Sequence, residues 1–237
     1  MEALLMLILA TAPLAVTNSP VVMEHALKFG LPIESMSLSN QILVSEVAEH
    51  CTLQRTVPPR RFPGRAENFG FMLDHMEISG VLAEKAGIIG YRPVMSPDGK
   101  LLADNKQEAA GFLIQVYCSE GRCIYYVEGT DRGMLTTRGQ GVVVVDYKQV
   151  TPTEVEYSGE VYVRIDNGMA ATLARLFYVF LRKSVDTNFA HVMRQPICLT
   201  ELITENPQSL RTMIDESPGD DQQLLSPLEP LLSATAH

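Results

Sequence analysis

Few side chains in this sequence have the spacing that catalytic or metal-binding chemistry requires. The five histidines are scattered without the spacing of metal ligands, so no metal site is predicted. Asp74 and His75 form the most suggestive couple, but adjacent helical residues diverge by about 100°, which favours a surface position for them. No serine lies in a GxSxG turn, and residues 139–141 (Gly-Gln-Gly) precede a predicted strand, not a helix. The sequence therefore predicts neither a catalytic nucleophile nor a bound cofactor.

Two of the four cysteines could form a covalent link. Cys118 and Cys123 flank residues 119–122 (Ser-Glu-Gly-Arg), which have the composition of a hairpin loop, so the two side chains should face each other across an antiparallel pair. They would form a disulfide in an oxidising compartment and would otherwise be two small side chains at strand ends. The four cysteines show no CxxC spacing, which argues against a zinc site.

Composition and charge exclude several classes of function. The chain has 237 residues, of which 46% are hydrophobic and 20% charged, and its net charge is −9. This acidity and the lack of a basic run make nucleic acid an unsuitable partner. Residues 3–16 are apolar but too few to span a bilayer, so no integral membrane span is predicted. Their length fits a signal peptide, whereas the absence of a preceding positive charge fits a buried N-terminal segment, so an exported and a cytoplasmic location both stay open.

The first third of the chain is predicted to be helical. Residues 39–56 have near-helical apolar spacing and end before Pro58 and Pro59. Residues 55–65 contain three prolines and four arginines, which predicts an irregular surface connection, solvated or paired with an acidic group or a lipid headgroup. Two more helices are predicted, one from Ala66 and one over residues 78–86 that ends at Gly87.

The middle of the chain changes to the two-residue period of β-strands. Residues 154–166 alternate between an apolar set and a polar set, which predicts one covered and one wet face. Residues 142–145 are four consecutive valines, as in a strand covered on both sides. Short turns between the strands indicate an antiparallel meander. The predicted strands are residues 91–95, 101–104, 111–118, 123–128, 134–137, 141–150 and 154–166.

A long amphipathic helix is predicted after the last strand, over residues 169–194, with Pro196 ending it. Two short helices, 199–205 and 207–216, should follow, and the Pro-rich, acidic remainder is predicted to be mobile. The resulting division of the chain is a candidate signal peptide or apolar segment (1–19), a helical extension (20–65), the main domain (66–216) and a flexible tail (217–237).

This order of elements resembles the START-like, or helix-grip, superfamily over roughly residues 66–194. The valine strand, the alternating strand and the long helix carry the resemblance. It implies an α+β fold in which a curved antiparallel sheet of six or seven strands grips a long C-terminal helix, with N-terminal helices. It also implies a cavity between helix and sheet for a lipid, a sterol or an aromatic polyketide.

Three functions are compatible with these features. The favoured one is non-enzymatic binding or transport of an apolar small molecule, the alternatives being an enzyme of the cyclase or hydratase type and a structural module that forms a homodimer. An enzyme could use Tyr125, Tyr157 and Arg164 as acid or base groups. The apolar candidates for the cavity lining are Phe112, Tyr125, Val127, Val143, Val145, Tyr157, Val161, Val163, Leu173, Phe177, Phe180 and Phe189.

Overall fold

A seven-stranded antiparallel sheet is the centre of the structure, a computed structural model that describes residues 30–88, 94–104, 109–131, 137–166 and 178–234. The strands lie side by side in the order β1-β7-β6-β5-β4-β3-β2. Together with the helices described below, the sheet confirms the predicted α+β fold of the helix-grip type. The strands are β1 (Leu53–Pro63), β2 (Val94–Met95), β3 (Leu101–Asp104), β4 (Ala109–Ser119), β5 (Arg122–Asp131), β6 (Thr137–Thr151) and β7 (Glu154–Ile165).

Strand β1 corrects the prediction of an irregular connection over residues 55–65, because all of these residues except Gly64 and Arg65 belong to an edge strand of the sheet. The strand pairs with β7, and its register shifts between Val57 and Arg60, where Pro58 and Pro59 lie. Proline cannot donate to a neighbouring strand, but an edge strand has one side that needs no such donors. The edge position therefore explains how a proline-rich segment can be a strand.

The arginines of this region pair with acidic side chains of the same chain. Arg61 lies 2.9 Å from the carboxylate of Glu156, and Arg65 lies 2.8 Å from that of Glu67. Arg55 binds Asp186 of the long helix. The sequence left open whether these arginines are solvated or pair with an acidic group or a lipid headgroup. In the structure, Arg55, Arg61 and Arg65 pair with acidic groups.

The helices before the strand meander begin within two residues of the predicted starts, but the first ends at Glu49 and not at residue 56. Helix α1 (Leu38–Glu49) begins at Ser37, whose side chain accepts a hydrogen bond from the Asn40 amide. Helices α2 (Ala66–Asp74) and α3 (Met76–Lys85) follow β1. After α3, Gly87 adopts a φ of 68°, the left-handed conformation typical of a helix end.

The long C-terminal helix extends further than the sequence predicts. Helix α4 (Tyr178–Glu205) contains Pro196, so the prediction that this proline ends the helix was wrong. Burial explains the difference, because Leu199 and Ile203, which follow the proline, are fully buried against other helices. Thr200 also donates a hydrogen bond to the Pro196 carbonyl at 2.7 Å. Residues 167–177, where the predicted helix begins, lie outside the described part of the chain.

Both faces of the sheet pack against helices. The inner face, defined as the face that α4 contacts, packs against Phe189 and Met193 of that helix and Phe69 of α2. The opposite, outer face packs against α1 and the residues before it. Tyr162 of β7 is 1% exposed on this outer face, which corrects the prediction that its side of the strand is wet. Of the β6 valines, Val142, Val144 and Val145 are buried and Val143 is half-buried, so the predicted cover on both sides holds for three of the four.

The short helix predicted over residues 207–216 is present as α5 (Pro207–Asp215). The segment after it, predicted to be mobile, forms α6 (Gly219–Leu225) and α7 (Glu229–Ala234). These helices pack against α3 and the second half of α4, because leucines recur on the sides that face them. Lys85 of α3 adds an ion pair with Asp221 at 3.1 Å. No helix within the described ranges is both long and apolar enough to cross a membrane.

Candidate ligand-binding face of the sheet

The inner face of the sheet carries three parallel rows of side chains, and each row takes at most one residue from each of β1, β7, β6, β5 and β4. Directly paired residues of antiparallel strands point to the same face, so the strand register defines each row. The closed row is Val57, Gly159, Val145 and Cys123; the middle row is Arg55, Val161, Val143, Tyr125 and Gln115; the open row is Leu53, Val163, Gly141, Val127 and Leu113.

Burial falls steadily from the closed row to the open row. In the closed row, Val57, Val145 and Cys123 are at most 1% exposed. In the middle row, Tyr125 is buried but Val143 is only half-buried. In the open row, all four residues with side chains are apolar and half-buried. Apolar side chains at the centre of a sheet are normally covered, and we call the less covered stretch formed by the open row and Val143 of the middle row the opening.

The opening is bounded at both ends along β7. Ile165, in the next row beyond the open row, is again buried, with 7% of its surface exposed. At the other end, Phe189 of α4 lies against Gly159 of the closed row, and the ring of Tyr157 stacks near it with centroids 6.4 Å apart. Phe189 of helix α4 therefore covers the closed row at this end of the face.

One edge of the middle row holds an ion pair. The guanidinium of Arg55 donates two hydrogen bonds to the Asp186 carboxylate, at 2.8 Å from Nε and 2.6 Å from Nη2. The two side chains are 26% and 24% exposed, so solvent screens the pair only partly. This pair joins edge strand β1 to helix α4 beside Val185, whose half-buried side chain packs on the inner face.

The other edge of the middle row is also polar. The hydroxyl of Tyr125 donates to the Leu73 carbonyl at 2.7 Å, and Gln115 donates to the Asp74 carboxylate at 2.6 Å. Burial raises the pKa of the Tyr125 phenol well above its ordinary value, with a smaller contribution from the charge of Asp74. A neutral phenol that already has an acceptor serves to fix α2 on the sheet.

Most of the predicted lining residues share this face. Phe112 does not, because it pairs with Glu128 and packs on the outer face with its ring 6.3 Å from that of Tyr126. Leu173 and Phe177 lie outside the described residues, and Phe180 belongs to α4 but its side chain is outside the described part. The predicted residues that the inner face brings together are Tyr125, Val127, Val143, Val145, Tyr157, Val161, Val163 and Phe189.

The three residues that could act as acid or base groups do not converge. Arg164 lies on the outer face, where it pairs with Glu46 and Asp166. Tyr125 and Tyr157 lie on the inner face, and burial raises the pKa of both phenols.

The couple formed by Asp74 and His75 lies at the surface, as the sequence favours: His75 lies 3.9 Å from Asp74, and its side chain is 35% exposed. Among the described residues, no group of three or more acidic, histidine or cysteine side chains is placed to hold a metal ion.

The sequence interpretation missed several residues of the face. Leu53 and Arg55 were assigned to a helix and a loop because the prolines that follow them obscure the two-residue period of β1. Leu113 was not selected from its strand, although it alternates with Phe112 and so had to face the opposite side. Asp186 had no signal in the sequence, since its partner lies 131 positions away.

The cysteine pair lies at one end of the closed row. Cys118 and Cys123 are directly paired across the β4–β5 hairpin, their Cα atoms are 4.1 Å apart, and the structure joins them by a disulfide. Gly121 of the hairpin has a φ of 84°, which glycine adopts without strain. The pair therefore occupies the hairpin position that the sequence indicates.

Comparison with known proteins gives only distant structural neighbours. No protein-family model and no curated protein matches the sequence. A conserved protein from Geobacillus kaustophilus is 12% identical, with a TM-score of 0.44, over 61% of this chain and 95% of the other. A START superfamily protein from Mycobacterium smegmatis is 11% identical, with a TM-score of 0.34, over 59% of this chain and 98% of the other.

A third neighbour is the di-domain ARO/CYC protein BexL from the BE-7585A biosynthetic pathway. It is 10% identical, with a TM-score of 0.33, over 74% of this chain and 59% of the other. At such values the neighbours resemble this chain in fold alone. What the inner face can do follows from its own residues.

Proposed function

We propose that this protein binds an apolar small molecule on the inner face of its sheet, over the middle and open rows. The observation that carries the proposal is the fall in burial along the face. On this face, burial falls from fully buried Val145 to half-buried Val143 in β6, and from Val161, which is 9% exposed, to half-buried Val163 in β7, with no polar residue between them. An uncovered apolar surface at the centre of a sheet gains free energy when a ligand removes it from water.

The polar groups around the opening favour a ligand without a net charge. The Arg55 guanidinium is already balanced by the Asp186 carboxylate, and the Tyr125 hydroxyl already has an acceptor. An uncharged apolar molecule would leave these bonds intact, whereas a charged group would need its own partner to offset desolvation. Binding without catalysis fits an inner face on which the candidate acid and base groups do not converge.

The test replaces Val143, the half-buried valine of the middle row, with phenylalanine. The larger ring should enter the opening, since the site is not close-packed, and lower the affinity for the fluorescent probe 1-(phenylamino)naphthalene at least about tenfold. The thermal stability of Val143→Phe should differ little from that of the wild type. Fluorescence titration measures the first effect and thermal unfolding the second.

Two residues of the same strand provide matched controls. Val144 is 2% exposed and points to the outer face, so Val144→Ala should cost about 2 kcal/mol of stability while the probe affinity stays unchanged. Val145 is fully buried in the closed row, so Val145→Phe should overpack the core and cost about 1–3 kcal/mol. A wild-type protein that does not bind the probe, or equal affinities for Val143→Phe and Val144→Ala, would reject the proposal.

A further inference from the structure

We infer that Phe189, seated on Gly159, is the end stop of the ligand site and determines the length of the apolar molecule that the site accepts. This inference rests on the proposed function and adds a specificity-determining residue to it. It concerns the boundary between the closed row and the middle row, across which burial falls from Val145 to Val143 in β6.

The contact between helix and strand is close enough to require glycine. A Cβ atom at position 159 would lie 2.2 Å from Cζ of Phe189 and 2.5 Å from Cε2 of the same ring. Such distances are far inside van der Waals contact, so any side chain at this position would displace the ring. The aromatic ring of α4 thus fills the space that a side chain of β7 would otherwise take.

The surroundings of the ring leave no room beyond it. Phe189 is 3% exposed, and Met193, one turn further along α4, is equally buried. On the other side of the ring, the next residues of β7 on this face are Val161 and Val163, the latter half-buried. At about 3.3 Å per residue, the strand from Gly159 to Val163 is about 13 Å long, which sets the scale of the apolar body that fits beside the stop.

A homologous series of straight-chain alkanols, competing with 1-(phenylamino)naphthalene, tests the inference. In the wild-type protein, affinity should rise about fourfold for each added methylene, the equivalent of about 0.8 kcal/mol, until the chain meets the ring. Beyond that length it should stop rising. In Phe189→Ala the rise should continue for several further methylenes, and in Phe189→Leu, which keeps part of the volume, for fewer.

Two further variants separate the stop from general loosening of the core. Met193→Ala removes an equally buried side chain of the same helix and should leave the length limit unchanged. Gly159→Ala should push the ring towards the middle row and shorten the limit, and combining it with Phe189→Ala should relieve the clash and give the longer limit again. This reversal is not expected from two independent losses of packing.

The outcomes separate the proposed binding of an apolar molecule from the role of Phe189 as its end stop. If the wild-type protein binds neither the naphthalene probe nor any alkanol, the proposed function fails, and the end stop fails with it. If it binds them with a limit that Phe189→Ala and Phe189→Leu leave unmoved, the end stop alone is rejected. A limit that Met193→Ala moves as far as Phe189→Ala would also reject the assignment to Phe189.

Discussion

The role of several side chains in this protein depends on which face of the sheet they lie on and what they contact there. Tyr125 reaches across from the sheet to the backbone of α2, and its hydroxyl is used in that one bond. Gly159 contributes only the absence of a side chain, which lets the Phe189 ring approach the strand. Val143 and Val144 are neighbours in sequence and chemically identical, yet one faces the opening and the other the closed outer core. Position relative to the two faces, more than residue type, decides what each side chain does.

Burial of Tyr125 predicts a loss of stability at alkaline pH. Burial raises the pKa of its phenol above the unfolded value of about 10, so the folded state holds the neutral form more strongly than the unfolded chain does. The resulting stability is fully present below that unfolded pKa and is lost as pH rises above it towards the folded pKa. Denaturant unfolding between neutral and alkaline pH should show this decline.

Replacing Tyr125 with phenylalanine isolates the contribution of this phenol. At neutral pH the variant should lose about 0.5–1.5 kcal/mol with the hydrogen bond to Leu73. Above pH 10 its stability should decline less steeply than that of the wild type, by up to about 1.4 kcal/mol for each pH unit. Part of the decline should persist, because burial also raises the pKa of Tyr162. As a control, Val144→Ala should lower stability equally at every pH, and a Tyr125→Phe curve parallel to the wild-type curve would contradict the prediction.

At the scale of elements, the sequence predicts the parts that are regular over their whole length. The alternating β7, the valine run of β6, the β4–β5 hairpin and the two helices after residue 65 have a clear period and local stop signals. Two elements were misread for one shared reason. Proline is a local signal, whereas edge placement in β1 and helix packing around Pro196 are tertiary features that no local pattern contains.

The same distinction applies to the candidate site. The period of the strands was enough to place seven of the predicted residues on sheet positions of one face. It could not show which of them are uncovered, because burial depends on where α4 crosses the sheet. The pairing of Arg55 with Asp186 depends on that crossing too, and it joins the first strand of the sheet to the last long helix.

The link between β1 and α4 should be stronger than other ion pairs of the same strand. Removing one partner of a partly desolvated bidentate pair leaves a charge without its counterpart, so Arg55→Ala should lower the free energy of unfolding by about 1–3 kcal/mol. Arg61 is the matched control, since its side chain is 53% exposed and also contacts carboxylates of β7. Arg61→Ala should cost clearly less than Arg55→Ala, because solvent screens an exposed pair. Equal losses in chemical denaturation of the two variants would show that the pair with Asp186 has no special role.

At the scale of the whole molecule, the sheet separates two cores, and a third lies among the helices. The outer core lies under α1, the inner core under α2 and α4, and the helical core contains α3, the second half of α4 and the C-terminal helices. Helix α4 belongs to both the inner and the helical core. Its position over the inner face is therefore fixed from the far end, where Leu199 and Ile203 anchor it.

The C-terminal helices should consequently contribute to stability despite a composition typical of a mobile tail. Leu225, Leu228 and Leu232 are fully buried in the helical core. Deleting residues 217–237 would expose the apolar sides of α3 and α4 that they cover, and it should lower the thermal midpoint strongly. Circular dichroism melts of the full chain and the truncated chain measure this loss.

Leucine substitutions test the same point without removing a segment. Leu228→Ala should cost about 2–5 kcal/mol, because it opens a cavity among close-packed helices. Leu38 is 62% exposed at the start of α1, so the chemically identical change Leu38→Ala should stay within about 0.5 kcal/mol of the wild type. If the tail were mobile, neither Leu228→Ala nor Leu38→Ala would change the free energy of unfolding appreciably. Helix α4 connects the helical core to the inner face. Near the lowered thermal midpoint of the variant, Leu228→Ala should therefore also weaken the binding of 1-(phenylamino)naphthalene that we propose for this face, while Leu38→Ala should not.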